Sequence, residues 1–302
     1  MKTGSQFHLI VIIAIFSVVK LANAQIPVFD ADRAFQNLIT QCDFGPRNPG
    51  SQGHSDCKEW VTNELINYAD EVHVQSFNAV ESLTGDSVIL YNIIGQFGSF
   101  DESALMLCAH WDTRVYADQD KDEKLQKTPI MGANDAASGV AVILEICQIL
   151  SENPPPRPIT VVFFDGEDMG RSSYPEEFAL GSAYWAQHPI PGLPEEAILL
   201  DMVGDADLEF PIEVYSNANA RNLTERLWNI AEVLELDAFQ DYLGIPVADD
   251  HLNLLRVGVR AVDIIDFDYP YWHTSEDTPD KCSAESLGQV GKLLIAYIYG
   301  IE

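Results

Sequence analysis

Several short apolar runs in this chain end on a carboxylate or an imidazole, and that pattern constrains the fold more than any other feature. Residues 104–109 run straight into His110 and Asp112, 158–164 into Asp165, Gly166, Glu167 and Asp168, and 197–200 into Asp201. A short run that is apolar at nearly every position suits a strand buried on both faces. Residues 87–97, 212–215 and 261–265 read as further strands. Apolar residues at helical spacing predict helices over 136–150, 219–234 and 284–299, the first ended by Asn153 and three prolines. Residues 25–68 read as helix, loop, helix around the turn formers Phe44-Gly45-Pro46-Arg47-Asn48-Pro49-Gly50, and 118–129 as a polar excursion loop. Strands alternating with helices imply an α/β chain with a largely parallel sheet covered on both faces. Ligands bind such sheets beyond the carboxyl ends of the strands, which is where these ionisable residues fall.

Three more clusters join them: Gly132-Ala133-Asn134-Asp135 ahead of a helix, Asp249-Asp250-His251, and Trp272-His273-Thr274. A single carboxylate after a strand is usually a turn former or helix cap. Asp112 and Asp165 are expected in such supporting parts, and the lone His54 and His188 at the surface. Acids crowded at one sheet edge repel one another unless a cation neutralises them. Carboxylate oxygens and imidazoles without thiolate suit a catalytic zinc with an open position. Glu167 and Asp168 are adjacent, so one can hold the metal while its neighbour moves protons. The helical H-E-x-x-H motif, the G-x-S-x-G elbow and Gly-rich phosphate loops are absent from the sequence.

The chain opens with Lys2, an apolar stretch over 9–19 and Ala22-Asn23-Ala24. That is the pattern of a cleaved export signal, and the stretch falls short of the roughly 20 residues that span a bilayer. Residues 1–24 are therefore expected to be a signal peptide and 25–302 one catalytic domain, secreted or periplasmic. The formal charge of −30 argues against nucleic acid and anionic membrane as partners, and a single chain is the expected working unit. Cys42 and Cys57 flank the Gly/Pro loop and are candidates for pairing, whereas Cys108 and Cys147 sit in apolar segments as core residues.

These segments resemble the zinc aminopeptidase and glutaminyl-peptide cyclotransferase family. The resemblance rests on Phe44-Gly45-Pro46-Arg47, Ala109-His110-Trp111-Asp112-Thr113-Arg114, the stretch from Gly132 to Gly139, and Phe163-Phe164-Asp165-Gly166-Glu167-Asp168. It continues through Leu200-Asp201-Met202-Val203-Gly204, Asp249-Asp250-His251 and Trp272-His273-Thr274, in the family's order. It implies a three-layer α/β/α sandwich around a mixed, mostly parallel sheet. By the same resemblance Asp135, Asp168 and His273 match zinc ligands and Glu167 the general acid/base. Asp201 and Asp249 match acids of the site's hydrogen-bond network, and Trp272 matches a wall of the substrate pocket.

The residues about His110, the Asp249-Asp250-His251 motif and Trp272 resemble the bacterial-type glutaminyl cyclases, which close N-terminal glutamine of peptides and proteins into pyroglutamate and release ammonia. The alternative is the secreted two-zinc aminopeptidase branch, in which residues matching His110 and Asp201 hold a second zinc and Asp135 bridges. A metal-free binding protein on the same fold is a third reading. Animal cyclases carry Glu where this chain has Asp168. They also carry a second pocket tryptophan, for which Tyr174 and Trp185 are the candidates here.

Overall fold

The computed structural model describes residues 26–81 and 84–300; the expected signal peptide lies outside them. Two helices open the fold, α1 (Ala31–Asp43) and α2 (Gln52–Tyr68), each begun by a side chain that accepts a backbone N–H: Asp30 from Arg33 and Ser51 from His54. Strands β1 (Glu71–Val80) and β2 (Ser87–Phe97) pair antiparallel. Then come β3 (Leu105–His110), α3 (Ala137–Glu152), β4 (Ile159–Phe164), α4 (Leu180–Gln187) and β5 (Glu196–Asp201). The chain continues through β6 (Phe210–Ile212), α5 (Val214–Asn219), α6 (Arg221–Val233) and β7 (Phe239–Leu243). It closes with α7 (His251–Arg256), β8 (Arg260–Ile265) and α8 (Ala284–Tyr299).

Six strands form the main sheet in the order β1-β2-β4-β3-β5-β8. Strands β4, β3, β5 and β8 run parallel, with β2 antiparallel to β4. Side chains alternate across a strand, and both faces here are covered. Leu105, Leu107, Ala109, Val161, Phe163, Ile198 and Leu200 join the core under α1, α3 and α8. Met106, Cys108, Val162, Phe164, Ala197 and Leu199 pack on the other face with Trp185 of α4 and Leu254 of α7. This is the expected three-layer α/β/α sandwich, and it explains why the central strands read as unbroken apolar runs.

Four expectations need correction. Strand β1 was not foreseen: it is a sheet edge whose only buried residue is Gln75, so it carries no strong apolar pattern. The strand expected over 212–215 ends at Ile212, because the Glu213 carboxylate accepts the N–H groups of Tyr215 and Ser216 and starts α5. Cys42 and Cys57 are free buried thiols rather than a disulfide; both face the main core, one from the last turn of α1 and one from within α2. His54 is buried rather than superficial. Among the described residues no helix is long and apolar enough to cross a membrane.

Helix α3 meets β5 closely at Gly139, where an added Cβ would lie 2.4 Å from the Leu200 carbonyl oxygen. Gly139→Ala should lower stability by about 1–3 kcal/mol through overpacking. Thermal unfolding checks this: a fall of several degrees is expected, and an unchanged midpoint would contradict so close a contact.

Candidate active site

The carboxyl ends of β3, β4 and β5 deliver His110, Glu167 with Asp168, and Asp201 to one edge of the sheet. The loop after β4 is fixed by Asp112, whose carboxylate accepts the N–H groups of Glu167 (3.1 Å) and Asp168 (3.2 Å). Gly166 sits at φ 71°, a left-handed conformation suited to glycine. Asp165 accepts the N–H of Tyr91 at 2.7 Å and pairs with His54 Nε2 at 2.9 Å, while the His54 ring stacks on Trp111 with centroids 4.4 Å apart. The expected supporting parts of Asp112 and Asp165 are therefore what the geometry gives, with His54 added to them. Asp277 does the same for the third loop by accepting the N–H groups of Asn134 (2.8 Å) and Asp135 (3.2 Å). Arg47, fully buried, donates to the carbonyls of Trp111, Met131 and Gly132, so the Phe44–Arg47 motif acts as a clamp on these loops.

Within this frame Asp135 faces two imidazoles. Its Oδ1 lies 3.0 Å from His110 Nε2, which is also 3.1 Å from Asp201 Oδ1. Its Oδ2 lies 3.7 Å from His273 Nε2, which is 3.2 Å from Asp168 Oδ1. Two sets of potential ligand atoms result, Asp135–Asp168–His273 and His110–Asp135–Asp201, each within 4.8 Å. His273 adopts φ 55°, a rare backbone state for a side-chain-bearing residue. Buried Asp168 Oδ2 has no hydrogen-bond partner among the described residues, and an orphaned carboxylate oxygen beside an imidazole fits a divalent cation's coordination sphere.

The electrostatics match the crowding. Burial, then repulsion from Asp168, holds the Glu167 carboxyl well above the usual range. Burial, then the Asp201 charge, pushes Asp249 up to about 7. Burial opposes charging His273, but Asp168 and Asp118 outweigh it and raise the ring to about 9. Arg114 provides fixed positive charge: its guanidinium donates to Asp168 Oδ1 at 3.2 Å, to the Gly170 carbonyl at 2.6 Å and to Asp118 at 2.8 Å. Asp118 Oδ1 in turn lies 3.3 Å from His273 Nδ1. Arg114 and Asp118 thus bracket Asp168 and His273 from behind. A third group, Asp249, His251 and Asp263, is buried nearby, with the His251 ring between Glu213 (3.4 Å) and Asp263 (3.5 Å).

Asp135, Glu167, Asp168, Asp201, Asp249, Trp272 and His273 all line one cavity of about 240 Å³. Trp272 stacks on His273 with ring centroids 3.7 Å apart. Neither candidate for a second aromatic wall is there: Trp185 is buried in the core against Phe164, and Tyr174 is exposed and stacks under Arg171. Phe178 and Phe267 line the cavity instead, with Val247 and Ile265. Sequence reasoning missed these four and the bracket of Arg114 and Asp118; the only signal was that Arg114 closes the His110–Arg114 motif.

Residues 92–298 match the family model of peptidase family M28. Among solved structures the chain is similar to glutaminyl cyclase of Bacteroides thetaiotaomicron bound to N-acetylhistamine: 35% identity, TM-score 0.87, covering 92% of this chain and 100% of that one. It is also similar to a Zn-dependent exopeptidase from Parabacteroides distasonis, with 32% identity, TM-score 0.88 and coverage of 92% and 100%. Among curated proteins, glutaminyl-peptide cyclotransferase of Gloydius blomhoffii is 25% identical across 87% of this chain and 80% of its own length.

Removing the His54 ring leaves the buried Asp165 carboxylate without its imidazole partner. His54→Ala should therefore cost about 3 kcal/mol, measured by urea unfolding; a loss below about 1 kcal/mol would mean that the pair contributes no more than a surface contact does.

Proposed function

The chain belongs to peptidase family M28, and from that premise we propose that it is a zinc-dependent glutaminyl-peptide cyclotransferase acting on peptides and proteins with N-terminal Gln. The observation that carries this reading is the 35% identity to a glutaminyl cyclase over 92% of the chain, joined to a cavity of about 240 Å³ walled by aromatic rings. That volume suits one amino-acid side chain. The basic, apolar and A-x-A pattern of residues 1–24 supports export.

Asp135, Asp168 and His273 would hold the zinc, an oxygen and nitrogen donor set that suits it. When bound, the metal supplies Lewis acidity toward the γ-amide carbonyl of the substrate glutamine. Glu167 takes a proton from the attacking α-amine. As the new carbon–nitrogen bond closes the ring and the bond from the γ-carbon to the amide nitrogen breaks, the same carboxyl gives its proton to that leaving nitrogen, which departs as ammonia. Nucleophile and electrophile belong to one residue, so positioning replaces a second reactant. Asp249 Oδ2, buried and without a hydrogen-bond partner among the described residues, is free to accept from the substrate's nitrogen. Trp272, Phe178 and Phe267 exclude water that would otherwise compete as nucleophile.

The second reading is an aminopeptidase with two zinc ions, favoured by one observation: the His110–Asp135–Asp201 group stands ready beside the first. Metal analysis of purified protein separates the two, with about one zinc per chain for the cyclase and about two for the aminopeptidase.

Glu167→Gln should keep zinc bound and lower kcat at least about 100-fold; near-normal turnover would remove Glu167 from the chemistry. Asp118→Asn, which disturbs the partner of His273 Nδ1, should weaken zinc binding roughly 10- to 100-fold. Competition with a chelator measures this, and unchanged affinity would reduce Asp118 to a bystander.

A further inference from the structure

The cavity wall formed by Pro246, Val247, Ala248 and Asp249 belongs to neither helix nor strand; it runs between the end of β7 at Leu243 and the start of α7 at His251. Such a segment has no ladder to hold it, so its backbone groups need partners elsewhere. Its entry is tied to the end of β6: Gly244 donates to the Ile212 carbonyl at 2.8 Å, and Val214 donates to the Ile245 carbonyl at 3.4 Å. Pro246 has no N–H to give. The next N–H, that of Val247, donates to Glu213 Oε1 at 3.1 Å.

Glu213 is buried and does not line the cavity. Its Oε1 also accepts from the Tyr215 N–H at 2.8 Å, and its Oε2 accepts from the Ser216 N–H at 2.6 Å and Ser216 Oγ at 2.7 Å. The same Oε2 lies 3.4 Å from His251 Nε2. One carboxylate therefore meets the chain just before Asp249, at Val247, and just after it, at His251. Ser216 Oγ in turn accepts the N–H of Asp263 at 3.0 Å, and Asp263 Oδ2 lies 3.5 Å from His251 Nδ1. Asp263 stands on β8, the strand that ends in the cavity-lining Ile265. Burial opposes charge on Glu213, but His251 and the N–H donors outweigh it and hold the carboxyl at about 2, so the acceptor stays ionised.

Resting on the proposed function, we propose that Glu213 is a positioning residue for the reaction. By holding Val247 and His251 it places Asp249, the carboxylate that meets the substrate's nitrogen, while touching no substrate itself.

Two substitutions separate this role from a purely structural one. Glu213→Asp can still cap α5, but it is shorter by a methylene and releases Val247. Glu213→Gln keeps the reach: its amide oxygen serves Tyr215 and Val247, and the Ser216 N–H is what loses its acceptor. Each variant should melt a few degrees below wild type and keep its zinc. Only Glu213→Asp should lower kcat, by about 10- to 100-fold, measured on zinc-loaded protein well below either melting point. The product that wild type releases from a Gln-initiated peptide, ammonia or free amino acid, decides the reaction class separately. The variants are ranked on that peptide, or on a Leu-initiated one if wild type prefers it. Amide hydrogen exchange over residues 244–250 reads the contact without any turnover, and should quicken in Glu213→Asp but not in Glu213→Gln. Equal kcat losses in the two variants, wild-type kcat in Glu213→Asp, or exchange that this substitution leaves unchanged would overturn the assignment.

Discussion

Mutual repulsion among buried carboxylates is the constraint around which this molecule is organised. Asp135, Glu167, Asp168, Asp201 and Asp249 line one small cavity at the carboxyl edge of the parallel strands. Such a group is tolerable only if positive charge or hydrogen-bond donors stand opposite each member. The fold supplies them in layers. His110 sits between Asp135 and Asp201, His273 beside Asp168, and Arg114 behind Asp168. Backbone N–H groups go to the outer acids Asp112, Asp165 and Asp277, and among the inner ones to Asp249, which accepts from Asp250. Among the described residues, buried oxygens of Asp168, Asp249, Asp250 and Asp263 are left without hydrogen-bond partners, so the compensation is incomplete there.

A similar economy shapes specificity. The aromatic rings of Phe178, Phe267 and Trp272 line the same pocket as the acids and His273, so the polar groups there sit against apolar walls. The shorter side chain at Asp168 goes with Arg114, which reaches it at 3.2 Å and also carries Asp118 toward His273. Two of the proposed metal ligands are thereby positioned by one guanidinium, so their relative placement does not depend on flexible loops alone.

The parallel sheet and the place of the site were legible in the sequence because their physics is local. A strand covered on both faces has few polar positions, so β3, β4 and β5 read as apolar runs broken only by Thr160 and by Glu196 at the start of β5, and the residue after each run falls at the sheet edge. What was not legible depends on distant partners. Nothing near His54 in sequence foretells Asp165, 111 positions away, and nothing near Phe178 says that it faces Asp249 rather than solvent. Edge strand β1 was missed for the opposite reason, since a strand with one buried residue lacks the contrast that pattern reading needs. Glu213 overruled the apolar residues around it by capping a helix, a contest that composition does not show.

The most direct test of the proposed chemistry tracks the fate of a Gln-initiated peptide by mass spectrometry with purified, zinc-loaded protein. A product lighter by one ammonia, with the peptide bond intact, is the predicted result. Release of free glutamine, or turnover only of peptides that begin with another residue, would contradict it and move the same residues to aminopeptidase chemistry.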